Sequence, residues 1–308
     1  MPTIVISEFM DEAAVAELGR HHPTTYDQTL VDQPQALAAL LADARALVVR
    51  NRTQVRGALL EAAPRLEAVG RLGVGLDNID LDACKARGIE VFPASGANDL
   101  SVAEYVITTS LMLLRGAYAA NAQMLAGEWP RNALIGRELA GRTMGLVGLG
   151  SIARLVKAKA LALGMRVAAF DPYLPNGDPA WDRVRKCALD ELLGVADVVS
   201  LHVPLTDGTR HLIDDAALRR MRPDAILVNA ARGGVVDEAA LGEALRQRRL
   251  GGAALDVFAT EPLTREAAAA FAGAPNLVLT PHIAGVTEES NVRVSSLIAS
   301  RILAALAG

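Results

Sequence analysis

The sequence predicts an α/β protein with parallel sheets covered by helices, and three observations carry that expectation. Short β-rich runs alternate with Ala- and Leu-rich helical stretches along the whole chain, the pattern of strands joined by helical crossovers. The length of 308 residues, at about 100–200 residues per domain, suggests two domains, each large enough to bury its own core. One β-rich run leads directly into a glycine-rich turn and then into a helical stretch.

Composition narrows the function classes. With 51% hydrophobic and 21% charged residues, the chain is not a disordered one. A formal charge of −4, from 31 basic and 35 acidic residues, argues against a broad basic surface for nucleic acid, while leaving room for a local patch. Two cysteines, Cys84 and Cys187, with no CxxC or Cys/His spacing, exclude a disulfide framework and a structural zinc site. They read as buried thiols in a reducing compartment, and no metal is expected. Residues 1–9 lack the basic region and cleavage site of a signal peptide. The apolar stretch 102–114 is interrupted by Glu104, ends at Arg115 and falls short of the roughly 20 residues of a membrane span. The expectation is a cytoplasmic chain with no membrane partner.

Taken in order, strands are expected at 3–6, 46–49, 68–71, 90–92, 143–147, 166–170, 198–201, 225–229, 252–255 and 277–279. The longest helical pattern runs from Asp99 to Leu125, with Asn98 or Asp99 as its cap, and is suited to joining two domains or supplying a dimer surface. Residues 127–141, with Trp129, Pro130 and two further glycines, read as a loop into a second βαβ series. There is no internal repeat of solenoid period and no low-complexity tail.

The run 143–147 feeds Gly148-x-Gly150-x-x-Ala153, and a helical pattern follows. This is the strand, tight turn and helix order of a dinucleotide fingerprint. Gly148 permits the turn, Gly150 lets a pyrophosphate approach the backbone, and Ala153 is small enough for helix–strand packing. The helix N-terminus then offers free N–H groups to the phosphates. Alone, the motif also suits a plain turn. The next strand ends in Asp171, 21 residues after Gly150, where a carboxylate accepts hydrogen bonds from the adenosine ribose and repels a 2′-phosphate. That favours NAD over NADP. The competing role for Asp171 is a turn former before Pro172, and Arg166 starts the strand too far back to clamp a phosphate.

Three later strand ends carry Arg232, Glu261 and His282, where open-sheet active sites form. With them the chain resembles the D-isomer-specific 2-hydroxyacid dehydrogenases. The matching segments are GVGLDNIDLDACKARGIEV (73–91), SVAEY (101–105), GRTMGLVGLGSIA (141–153), FDPY (170–173), LHVPLT (201–206), NAARGGVVDEAAL (229–241), LDVF (255–258), EP (261–262) and PHIAG (281–285). Ala153 stands where the family usually has a third glycine, and helix–strand packing tolerates it.

The resemblance implies two doubly wound parallel-sheet domains. A flavodoxin-like substrate domain would comprise 1–98 and 287–308, and a Rossmann NAD domain 99–286. It implies hydride transfer between nicotinamide and C2 of a 2-hydroxy or 2-oxo acid. Arg232 would hold the substrate carboxylate and carbonyl oxygen, His282 would exchange the proton, and Glu261 would orient the imidazole. Read singly, these three could be a helix cap or surface charge, a loop acid and a core histidine. Cofactor contacts are implied for Val74, Gly148, Gly150, Ser151, Ile152, Asp171, His202, Val203, Pro204, Ala230, Ala231, Arg232, Asp256, His282 and Gly285. His21, His22 and His211 match no motif and read as surface residues.

Substrate contacts are implied for Val74 and Gly75, whose backbone amides would take the carboxylate, and for Asn98, Arg232 and His282. Arg50, Arg71 and Arg131 resemble the positions that hold phosphate in D-3-phosphoglycerate dehydrogenases, and they favour a second anion at C3, phosphate or sulfonate. As surface charges they would carry no such meaning. The chain stops at Gly308, so the resemblance is to members without an appended regulatory domain, which leaves sulfolactate, glycerate and similar acids open. A homodimer is expected by the same resemblance. Two alternatives stand beside this reading: a glyoxylate or hydroxypyruvate reductase, and an NAD-sensing corepressor in which partner binding replaces turnover.

Overall fold

The computed structural model describes residues 2–307 and divides into two compact units, Met1–Asn98 with Val286–Gly308, and Asp99–Gly285. Each is a parallel sheet flanked by helices, as the alternation of runs predicts.

In the first unit, strands β1 (Ile4–Ile6), β2 (Thr24–Tyr26), β3 (Ala46–Val49), β4 (Ala68–Arg71) and β5 (Glu90–Pro93) lie in the order β2-β1-β3-β4-β5, all parallel. This is the flavodoxin-like order, whose switch point falls between β1 and β3. Period-two side chains divide each strand between two cores. Ile4, Ile6, Val48 and Ala68 pack with Leu18, Ile298 and Ile302, while Val5, Leu47, Val49 and Val69 pack with Leu41, Leu60 and Cys84. The helix Glu288–Leu306 lies so close to β4 that a Cβ on Gly70 would sit 2.5 Å from Ile298 Cγ2. Thr287 starts that helix with a capping box: its side chain accepts from Ser290 N, and Ser290 Oγ accepts from Thr287 N.

The second unit holds β6 (Thr143–Val147), β7 (Arg166–Phe170), β8 (Arg185–Lys186), β9 (Val198–Leu201), β10 (Ile226–Asn229), β11 (Gly252–Leu255) and β12 (Leu277–Leu279). Their order, β12-β11-β10-β9-β6-β7-β8, places the first strand mid-sheet with successors on both sides, so the winding reverses between β6 and β9. Buried on both faces, strands such as β9 and β10 carry no exposed residue, which is why they read as continuous apolar runs.

Two local differences from the sequence reading have clear causes. The long helix spans Asp99–Arg115 and stops ten residues before the expected Leu125, because Gly116 adopts φ +63° and its N–H caps Met112 O. A 3₁₀ turn, Ala117–Ala119, and a short helix, Asn121–Leu125, follow. The strands Thr24–Tyr26 and Arg185–Lys186 went unforeseen because both sit at sheet edges and neither is a fully buried apolar run.

Candidate active site

Every parallel strand of the second unit delivers its C-terminal end to the same side of the sheet, so the groups that follow β6, β7, β9, β10, β11 and β12 share one edge. After β6 comes the glycine turn. Gly148 has φ +88°, and a Cβ there would lie 2.5 Å from His202 O, so only glycine fits. Gly150 caps the helix Ser151–Ala162 with no side-chain cap, and the space its Cβ would fill is open for 4 Å. The first N–H groups of that helix are therefore offered to an approaching anion. Ser151 is exposed, Ile152 is half-buried, and Ala153, fully buried, is the small contact that the packing requires.

Asp171, just past β7, does more than the sequence suggests. Its carboxylate accepts Leu149 N at 2.9 Å on one oxygen, and Tyr173 N and Leu174 N at 3.0 and 3.1 Å on the other. It ties the glycine turn to the neighbouring strand. A carboxylate has about four lone-pair sites, so with three amides bound about one remains for a ribose hydroxyl. The cradle thus fits a dinucleotide lacking a 2′-phosphate. His202 follows β9 with its Nε2 3.0 Å from Ser200 Oγ, and burial pushes the imidazole down to about 4, so it is neutral at physiological pH. Val203 is half-buried and Pro204 exposed beyond it.

After β10, Asn229 shapes the turn that carries Ala230, Ala231 and Arg232. Its Oδ1 accepts Ala231 N at 3.1 Å, and its Nδ2 donates to Arg232 O at 3.0 Å. The next strand ends bring two of the predicted residues together: His282 Nδ1 lies 2.7 Å from Glu261 Oε2, and Glu261 Oε1 accepts Phe258 N at 3.0 Å. Burial works to raise the Glu261 pKa. The His282 hydrogen bond, the Phe258 amide and the charges of His282 and Arg232 outweigh it, so the carboxyl sits below its ordinary range and stays ionised. An ionised carboxylate on Nδ1 leaves Nε2 as the reactive nitrogen. His282 itself has φ +56°, a left-handed conformation uncommon for a non-glycine residue.

The device holding that conformation was not legible as such. Asp256, expected as a cofactor contact, is 1% exposed and its carboxylate is already engaged. It accepts Thr280 Oγ1 at 2.6 Å, and Ile283 N and Ala284 N at 2.8 Å, gripping the His282 loop from both sides. Tyr105 from the long helix extends the chain with a 2.7 Å hydrogen bond to Thr280 Oγ1. Gly285 closes the loop and the unit.

In the first unit, Arg50 follows β3 and Arg71 ends β4, on adjacent strands. Arg71 folds back over Gly73, whose φ of +156° and lack of a Cβ allow the guanidinium to lie against its backbone. Val74, 38% exposed, and Gly75 continue that loop. Asn98, the last residue of the segment, has a buried Oδ1 with no hydrogen-bond partner among the described residues. Arg131 is exposed on the loop after the helix Asn121–Leu125 and belongs to the second unit, apart in sequence and unit from the other two arginines.

A glycine turn at a switch point, an acid ending the next strand and an Arg–Glu–His set on neighbouring strand ends define a nicotinamide-dependent dehydrogenase. More specifically, the chain belongs to the D-isomer specific 2-hydroxyacid dehydrogenases: the family model of their NAD binding domain matches residues 107–284. It is 56% identical over 307 residues, 99% of each chain, to an (S)-sulfolactate dehydrogenase of Chromohalobacter salexigens. It is 40% identical over 310 residues to a D-3-phosphoglycerate dehydrogenase of Mycobacterium leprae, covering all of this chain and 57% of that one. A crystal structure of D-lactate dehydrogenase from Aquifex aeolicus with NAD and lactic acid superposes with a TM-score of 0.88 at 28% identity, over 99% of this chain and 96% of that one. The protein is an NAD-dependent oxidoreductase acting on the CH–OH group of 2-hydroxy acids.

Proposed function

We propose that the substrate is a small 2-hydroxy or 2-oxo acid with a second anion at C3, of the sulfolactate or 3-phosphoglycerate type. The observation that carries this reading is Arg50 at the end of β3, beside the strand that ends in Arg71, with its guanidinium met by a neutral amide and an aromatic ring. A cation whose side chain hydrogen-bonds an amide rather than an acid, with Glu8 reaching it only through space, suits an anionic ligand. The 56% identity to the (S)-sulfolactate dehydrogenase supports a sulfonate. Its S label agrees with D-specificity: sulfur on C3 outranks the carboxyl group in naming priority, so a centre arranged as in D-lactate is called S.

In this reading the first unit is the substrate domain and the second the NAD domain. NAD, when bound, accepts or returns the hydride of C2. The glycine turn and the helix start at Ser151 and Ile152 hold the pyrophosphate, and Asp171 holds the ribose. His202, Val203, Pro204, Ala230, Ala231 and Gly285 line the nicotinamide side, behind which Asp256 holds the His282 loop, and Val74 is a further cofactor contact. Val74 and Gly75 offer backbone N–H groups to the substrate carboxylate, and Asn98 joins them. Arg232 pairs with the carboxylate and polarises the C2 oxygen. His282 donates a proton to that oxygen in reduction and removes it in oxidation, while the ionised Glu261 fixes the ring. Arg50, Arg71 and Arg131 take the C3 anion. The chain works as a homodimer in the cytoplasm, with no nucleic-acid or membrane partner; no helix of the described residues is long and apolar enough to cross a membrane.

A steady-state panel of sulfopyruvate, phosphohydroxypyruvate, hydroxypyruvate and glyoxylate, with NADH and NADPH, tests the proposal. Expected are the highest kcat/KM with a dianionic acid and a preference for NADH. Superior turnover of hydroxypyruvate or glyoxylate would remove the second anion. NADH binding without turnover of any acid would favour a sensor over an enzyme.

A further inference from the structure

The arginine after β3 is held by an arrangement that none of the sequence motifs includes. Its backbone is fixed from below: Glu8, 5% exposed and just beyond β1, accepts Arg50 N at 2.9 Å, Thr53 N at 3.0 Å and Arg52 N at 3.2 Å. The carboxylate is thereby hydrogen-bonded to the loop backbone and reaches the Arg50 guanidinium only through space, without pairing with it. Asn78 closes the other side by donating to Arg50 O and Thr53 O at 3.1 and 2.7 Å. The side chain is fixed separately. Arg50 Nη2 donates to Asn291 Oδ1 at 2.9 Å, and the guanidinium stands 5.5 Å from the centre of the Phe9 ring.

The contrast with its neighbours is chemical. Arg52, two residues on, pairs with Asp32, and Arg45 before β3 makes two 2.7 Å bonds to Glu67. Arg50 is anchored as firmly, yet its anchors are an amide and a π face. An amide oxygen orients a guanidinium without cancelling its charge, whereas a carboxylate would form an ion pair with it. The location matters as well, because β1 and β3 flank the switch point of this sheet, where open α/β sheets bind their ligands.

We infer that Asn291, on the first turns of the helix Glu288–Leu306, is a specificity-determining residue: a neutral clasp that positions Arg50 while keeping its charge available to the C3 anion of the substrate. The inference rests on the proposal that Arg50 binds that anion. Asparagine is the residue this task needs. Aspartate would hold the same geometry and neutralise the cation, and alanine would leave the charge but release the side chain.

The test compares N291D, N291A and R50A by the ratio of KM values for sulfopyruvate, a dianion, and hydroxypyruvate, a monoanion. N291D is tolerated by the fold, since an acid in the first turns of a helix is favoured by its dipole. In N291D the preference for sulfopyruvate should fall at least tenfold through KM, with kcat at saturating sulfopyruvate within about threefold of wild type. N291A should lose about two- to fivefold of the same preference. Equal losses in N291D and N291A would overturn the neutrality argument, since anchoring alone would then explain both. An unchanged ratio in N291D alongside a lost preference in R50A would overturn the role of Asn291 and leave the dianionic substrate standing. An unchanged ratio in R50A would remove Arg50 from substrate binding and the inference with it.

Discussion

The pair His282 and Glu261 joins geometry and charge on the scale of single residues. The 2.7 Å contact and the depressed carboxyl of Glu261 keep an ionised carboxylate against Nδ1, which fixes the ring and leaves Nε2 to exchange the proton. His282→Ala should lose about 10²- to 10⁴-fold in turnover while NADH binding, followed by fluorescence, persists. Retained activity would remove His282 from proton transfer. Glu261→Gln keeps an acceptor and removes the charge that faces the imidazole. The pH–rate profile of oxo-acid reduction should move. An unmoved profile would show that Glu261 contributes geometry alone. Both residues, and the contact between them, were readable from the resemblance that the EP and PHIAG segments carry. The residues alone did not give it, because 21 residues separate them in the chain and strand packing makes them neighbours.

Among elements, the loop after β12 shows how a local conformation is maintained. His282 sits at φ +56°, which a histidine adopts at a cost of about 1 kcal/mol or more, and the three donors to Asp256 hold it there. Asp256→Ala would release Thr280 and the amides of Ile283 and Ala284 together. We expect kcat/KM to fall about 100-fold from a displacement of the imidazole on the order of 1 Å, with helical circular dichroism retained. Activity within twofold of wild type would show that the loop holds itself. The sequence placed Asp256 in a motif and suggested a ligand contact; burial turned its carboxylate inward. The long helix gives the opposite case. Its stop at Gly116 was legible as an Arg-Gly terminus, but the apolar content of residues 117–125 obscured it, and this content reads as helix without fixing continuity.

For the whole molecule, one half-buried base adds to acid sensitivity. His202 has its pKa pushed down to about 4 in the fold, whereas the unfolded chain carries an ordinary histidine near 6.5. Below 6.5 the unfolded state takes up a proton that the native His202 refuses, so this contribution to stability falls with pH until about 4 and is essentially flat above 6.5. Between pH 6.5 and 5 the loss should be about 2 kcal/mol. Denaturant unfolding at both pH values should show a smaller drop for His202→Asn than for wild type; equal drops would place the sensitivity elsewhere. The sequence by itself determined the α/β class, the glycine turn, the acid after it and the three strand-end residues, because these depend on short-range periodicity and on spacing within one βαβ unit. The tertiary structure alone decided which polar side chains serve ligands and which serve the fold. Glu8 and Asp256 spend their carboxylates on backbone amides, and Asn291 reaches Arg50 across 241 residues of chain. A hydrogen-bond partner is chosen by distance in space, and no local pattern in the sequence encodes that distance.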